Sequence, residues 1–214
     1  MKIRIFGIAA ALALLLLAAS SSRAQGRFEV TPFVGWETSG SYPISSTSGP
    51  PIDRLRINDA FAWGGFFDYN ITENFQAEFM FNRNNTSYSA HDVLSDSYFN
   101  AYHSDVNQYQ FGGLYMLRGS DHRLRPYVAA SVGFTHDSNS NGTANNTAFS
   151  YSLGGGVKYY LSRHLGLRAD ARFLPTYGNS SIATYCDPFF GCYNAKVSNY
   201  LNRGSFTGGV IIHF

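Results

Sequence analysis

The segment from Leu201 to Phe214, LNRGSFTGGVIIHF, limits the choice of fold more than any other stretch of this chain. Phe206, Gly208, Val210, Ile212 and Phe214 fall on one face; Ser205, Thr207, Gly209, Ile211 and His213 fall on the other. A period of two is that of a strand, not a helix. One apolar face and one mostly small or polar face mean that the strand meets different surroundings on its two sides. A water-soluble sandwich supplies that contrast. So does a barrel with lipid outside and a packed polar lumen within.

Seven earlier segments repeat the pattern. The spacing predicts strands over 27–37, 59–69, 74–83, 106–117, 125–136, 148–161 and 165–175, making eight with the last. Their apolar faces carry, among others, Trp36, Trp63, Phe79, Phe111, Val132, Leu153 and Phe173. The opposite faces are polar or small. The third strand shows Gln76, Glu78, Met80 and Asn82 there; the sixth shows Ser150, Ser152, Gly154, Gly156 and Lys158; the seventh shows Arg168, Asp170 and Arg172. No helix is readable after residue 24, so nothing else in the chain covers eight apolar faces. A two-sheet sandwich would be overfilled by so many Phe and Tyr. Facing them to lipid removes the difficulty, and a closed sheet satisfies every backbone group, as a bilayer requires.

The connections alternate in length. Residues 70–73, 118–124 and 162–164 are short turns; 38–58, 84–105, 137–147 and 176–200 are long and rich in Ser, Asn, Thr, Gly and Tyr. Short turns at one end and long loops at the other mark a transmembrane barrel. Each even strand also holds a glycine pair or triplet: Gly64-Gly65, Gly112-Gly113, Gly154-Gly155-Gly156 and Gly208-Gly209. Glycine gives room in a tightly curved barrel, or lets an aromatic lie over the neighbouring strand.

The start of the chain supplies an address. Lys2 and Arg4 precede an apolar run from Ile5 to Ala19, and Ser22-Arg23-Ala24 offers small residues at a peptidase site. This pattern predicts a signal peptide over 1–24, cleaved after Ala24, ahead of a single barrel domain over 25–214. The run is short for a spanning helix of about 20 residues. Cleavage lowers the basic count from 16 to 13 against 14 acids, which leaves no basic face for nucleic acid. Charged residues make up 14% of the chain, against about 25% in soluble domains, which again favours lipid as the surrounding medium. In an exported chain the two cysteines, Cys186 and Cys192, are expected to form a local disulfide. The six His are scattered and suggest no metal site, and no cofactor motif is present.

Together these features resemble the outer-membrane β-barrel family related to the OmpA transmembrane domain and the small opacity-type barrels. The resemblance covers 25–214 and is carried by the signal peptide, Arg125-Pro126-Tyr127-Val128, the run Gly154-Gly155-Gly156-Val157-Lys158-Tyr159-Tyr160, and the final strand ending at Phe214. It implies an all-β, eight-stranded antiparallel up-and-down barrel in the outer membrane, surrounded by lipid and lipopolysaccharide. It also implies that the terminal aromatic strand is read by the barrel-assembly machinery. Three short turns between eight strands put both termini in the periplasm.

Three functions are open. In the first, the barrel is structural, or binds an extracellular ligand through its loops. In the second, it is a lipid A-modifying enzyme: His136-Asp137-Ser138-Asn139 resembles the His-x-Ser-Asn of deacylase barrels, with His136 as base and Ser138 as nucleophile. In the third it is a narrow porin-like channel, which the inward charges oppose, since eight strands leave an interior filled by side chains. The third and seventh strands face each other across an eight-stranded ring. Glu78 is therefore expected to pair with Arg168 or Arg172, leaving Asp170 to meet Lys158.

Overall fold

A computed structural model describes residues 27–46, 52–92, 96–139, 145–177, 183–187, 191–197 and 200–214. The expected signal peptide lies outside the described residues. In chain order the strands are β1 (Phe28–Ser39), β2 (Ser41–Ser46), β3 (Ile52–Ile57), β4 (Ala60–Asn70), β5 (Phe75–Asp92), β6 (Ser97–Met116), β7 (Leu124–Asn139), β8 (Asn145–Tyr160), β9 (Leu165–Phe173), β10 (Thr176–Tyr177), β11 (Ala183–Asp187), β12 (Gly191–Val197), β13 (Tyr200–Leu201) and β14 (Arg203–His213). Eight of them close a ring in which every neighbour is antiparallel: β1-β4-β5-β6-β7-β8-β9-β14, with β14 returning to β1. No edge is left inside the ring, so backbone donors and acceptors are met without water.

Side-chain alternation is inverted relative to a soluble protein. Phe28, Phe111 and Phe206 are 59%, 64% and 58% exposed, while Glu78 and Asp68 are each 1% exposed. Apolar side chains predominate on the outside of all eight ring strands, and the lumen holds nearly every buried charge together with a smaller apolar layer. Burial in water would reverse this order, so the apolar outside requires lipid.

The segments expected as long loops are largely strand. β5 and β6 stay paired over 84–92 and 97–105, with one register shift at Tyr88/Ser89. Above β1 and β4, the chain pairs β2 with β3 and β3 with β5. β12 joins β2, and β11 joins β12. The polar composition of these stretches hides the pairing. Where both faces meet water the alternation of apolar residues disappears, but the backbone ladder does not. The register places Cys186 opposite Cys192 in the β11–β12 hairpin; their side chains, and with them the expected disulfide, lie outside the described residues. β9 ends at Phe173, two residues earlier than its sequence pattern suggests, because Pro175 has no N–H to donate.

The glycine pairs have a steric cause. A Cβ on Gly64 would lie 2.0 Å from the carbonyl oxygen of Phe81 and 2.8 Å from the Phe33 ring; one on Gly156 would lie 2.1 Å from the carbonyl oxygen of Ala169 and 2.6 Å from the Tyr127 hydroxyl. Both point into the lumen, where a bulky neighbour fills the space. The outward Gly113 instead lies beneath the Phe75 ring, 2.8 Å from where its Cβ would be. In the last pair the crowding is at Gly209, since Gly208 faces open space.

Candidate functional site

The lumen is filled in successive layers, each set by strand parity. Lys158 on β8 is fully buried, and an ammonium without partners there would be costly. Its three donors are met by Glu29 Oε2 at 2.6 Å, Asp68 Oδ2 at 2.7 Å and Gln76 Oε1 at 2.7 Å. Glu29 accepts in turn from the Tyr160 hydroxyl at 2.8 Å and from Gln76 Nε2 at 3.2 Å.

Asp68 Oδ2 links this layer to the next, because Arg168 Nη1 also reaches it at 3.0 Å. Arg168 Nη2 lies 2.5 Å from Glu78 Oε2 and 3.1 Å from Asp170 Oδ2, and its Nε donates to the Tyr127 hydroxyl at 2.8 Å. Arg172 grips Asp170 with two nitrogens, Nε at 2.8 Å and Nη2 at 3.0 Å, and reaches Glu78 Oε1 at 2.7 Å. The Tyr127 hydroxyl donates to Asp170. Guanidinium forks suit this sharing, since each presents five donors in fixed directions.

Glu78, Lys158, Arg168, Asp170 and Arg172, expected on the inner face from strand parity, are all buried in the lumen. The structure brings Glu78 against both arginines. The expected contact between Asp170 and Lys158 is not formed. The β8–β9 register sets Lys158 opposite Arg168, with Asp170 opposite Gly156. Lys158 is thus directed away from a like charge, toward Glu29 and Asp68. Those two acids are the partners the pattern reading missed. Each is a lone acid between outward apolar residues, Glu29 between Phe28 and Val30 and Asp68 between Phe67 and Tyr69.

An apolar layer adjoins the charges. Phe33, Phe66, Met80 and Leu174 pack together within the barrel. The Phe33 and Phe66 rings are 4.6 Å apart, and the Arg168 guanidinium stacks 3.6 Å from the Phe66 centroid. Beyond it Glu37 accepts from the amides of Asn82 and Asn84, with Arg203 Nη1 3.9 Å away. The β6–β8 side is lined by hydroxyls and an amide, with Ser131 and Ser152 2.5 Å apart and Gln110 donating to Ser150 at 2.6 Å. Five acids and five bases are buried among the described residues: Glu29, Glu37, Asp68, Glu78 and Asp170 against Arg125, Lys158, Arg168, Arg172 and Arg203. The interior is electrically balanced.

His136 and Ser138 lie on the outer face of β7, not in the lumen. His136 Nδ1 is 2.8 Å from Thr147 Oγ1 on β8, and no hydrogen bond joins it to Ser138. Asp105 stands opposite Ser138 in the β6–β7 register, but Arg83 holds its carboxylate at 2.9 Å. Base, nucleophile and acid are near one another without being linked. Among the described residues no group of His, Cys, Asp and Glu is arranged to hold a metal.

The sequence model of the family described as "Outer membrane protein beta-barrel domain" matches residues 8–210. No curated protein matches the chain. Among solved structures, it is similar to the outer membrane protein OprG of Pseudomonas aeruginosa, with a TM-score of 0.64 and 13% identity over 88% of this chain and 97% of that one. Neisserial surface protein A gives 0.52 and 16% over 87% and 97%. The outer membrane protein AlkL gives 0.50 and 13% over 91% and 93%. At these identities the likeness is one of fold.

Proposed function

Because the chain belongs to the outer membrane protein β-barrel family, and is thus an outer-membrane barrel, we propose that it is a surface-interaction or structural barrel with a plugged lumen. Recognition then falls to the strand-built extensions at the end with long connections, and both termini lie in the periplasm. The observation that carries this reading is the chain of contacts running from Glu29 through Lys158, Asp68 and Arg168 to Phe66 and Phe33. Each buried charge in that chain is met by an opposite charge, and no mobile ion is needed to balance them. An open pore would leave such charges to water.

The reading assigns no catalytic role to His136 or Ser138, whose hydrogen bonds go to Thr147 and, through the Ser138 carbonyl, to Ser104. The amide of Phe214 donates to the carbonyl of Phe28 at 2.9 Å, tying the terminal aromatic into the seam between β1 and β14. This suits a segment offered to the barrel-assembly machinery as the seam closes.

In planar bilayers the unmodified protein should show little or no steady conductance. A large, stable open channel would overturn the plugged lumen and promote the pore. Orientation is tested separately. Protease added to whole cells should cut within 84–105 or 176–200 and spare 118–124. Cleavage confined to 118–124 would invert the barrel.

A further inference from the structure

The end of the barrel with short turns carries an uneven charge. Its exposed ionised side chains are Arg27, Arg118, Arg123 and Arg163 against Glu73 and Asp121. Three of the four arginines sit on one arc. Arg118 and Arg123 flank the β6–β7 turn, Arg163 lies in the β8–β9 turn, and the strands between them are adjacent. The Tyr160 amide donates to the Arg123 carbonyl at 2.9 Å, and the His213 amide donates to the His164 carbonyl at 2.9 Å. The two turns and the end of β14 therefore form one connected rim.

One ionised acid, Asp121, stands among the three arginines of the arc, which stays net positive. Asp121 Oδ1 lies 2.7 Å from His122 Nδ1, and that hydrogen bond holds its carboxyl below the usual range. Arg125, buried just inside the rim, donates from its guanidinium to the main-chain carbonyls of Glu73 and Arg118 and so braces the β4–β5 and β6–β7 turns from within. The rim opposite, around the β4–β5 turn and the start of β1, has one charge of each sign, Glu73 and Arg27, with uncharged Asn and Thr between them.

The height of the arc in the bilayer follows from the outward leucines. Leu117, Leu124, Leu161 and Leu165 are all about half exposed and form the last apolar row. Arg118 directly follows Leu117, Arg123 directly precedes Leu124, and Arg163 lies between Leu161 and Leu165. One residue of strand rises about 3.4 Å. The guanidinium groups are thus held at the level where hydrocarbon gives way to headgroups, and long side chains can extend the last few ångströms along the surface. Arginine in that position matches a phosphate with two parallel hydrogen bonds.

We infer that the rim formed by Arg118, Arg123 and Arg163 binds the phosphate of anionic phospholipids in the leaflet it faces, and so gathers them on one side of the barrel. The inference rests on the chain being an outer-membrane barrel and is independent of what its far end recognises. Lipid selectivity in a symmetric bilayer does not depend on orientation, so its failure is separable from that of the orientation proposed above.

The test uses the full barrel reconstituted in phosphatidylcholine bilayers with trace spin-labelled phosphatidylglycerol or phosphatidylcholine, reading the motionally restricted fraction of each. Phosphatidylglycerol should be enriched several-fold at the protein surface, with roughly a fivefold contribution from each arginine that reaches a phosphate. The combined variant R118Q/R123Q/R163Q should lose the preference while keeping the heat-modifiable gel mobility of a folded barrel. R83Q/D105N, altered at the other end, should retain it. Millimolar inorganic phosphate should leave the enrichment largely in place. Equal association of the two lipids with the unmodified protein would overturn the inference, as would an undiminished preference in the folded triple variant. Complete displacement by inorganic phosphate would also overturn it, by making the rim a site for the free ion.

Discussion

Glu78→Ala should destabilise the folded barrel by about 3–5 kcal/mol, the cost of leaving a buried charge without its partner. Glu78 is the carboxylate shared by Arg168 and Arg172, at 2.5 Å and 2.7 Å. All three side chains are 1% exposed. Its removal leaves two guanidinium groups facing each other, with Asp170 as the nearest shared acid. The readout is the midpoint of urea unfolding in detergent micelles, compared with Glu78→Gln, which keeps an acceptor and should lose less. A cost below about 1 kcal/mol, typical of exposed pairs, would mean that water reaches the site. Bilayer recordings of Glu78→Ala should show intermittent current where the unmodified protein shows none.

Phe66→Ala should be about as damaging, at roughly 3–5 kcal/mol for a large buried aromatic. Its ring is 1% exposed, touches Phe33, and lies beneath Arg168. Truncation opens a void and removes the surface on which the guanidinium rests. The neighbouring Phe67 supplies the control. It points outward, 49% exposed, where lipid chains can fill the vacated space. Phe67→Ala should therefore cost much less in the same unfolding measurement. Equal losses at 66 and 67 would show that the lumen is not packed as a core.

Strand parity was the most legible property of the chain. From Trp36 and Phe61 through Phe173 and Phe206, the side chains expected outside are outside, because lipid on one face and packed charge on the other impose opposite chemistries on alternate residues. Parity says which face a residue occupies and nothing about who meets it. Glu78 met the expected arginines because β5 and β9 lie across the ring. Lys158 did not meet Asp170, since partner choice depends on shear and register, which are set by pairings far apart in sequence. Glu29 and Asp68 carried the same parity signal as Glu78. They stood alone in aromatic strands, whereas Arg168, Asp170 and Arg172 formed a visible row. The extensions above the membrane were read as loops because alternation is a record of two different solvents, and it stops where both faces meet water.

β5 and β6 run for 18 and 20 residues. At about 3.4 Å per residue and a tilt near 40°, such a hairpin rises roughly 50 Å, about twice the height of the apolar band of an outer-membrane barrel. The excess is ladder-paired to its neighbours rather than hinged, so it cannot lie down on the lipid surface. It behaves as a spacer with a set stand-off. Any flat object approaching this end of the barrel is held off on the order of 20 Å above the hydrocarbon by the paired strands, and their backbone ordering entropy was already lost during folding, before any such encounter.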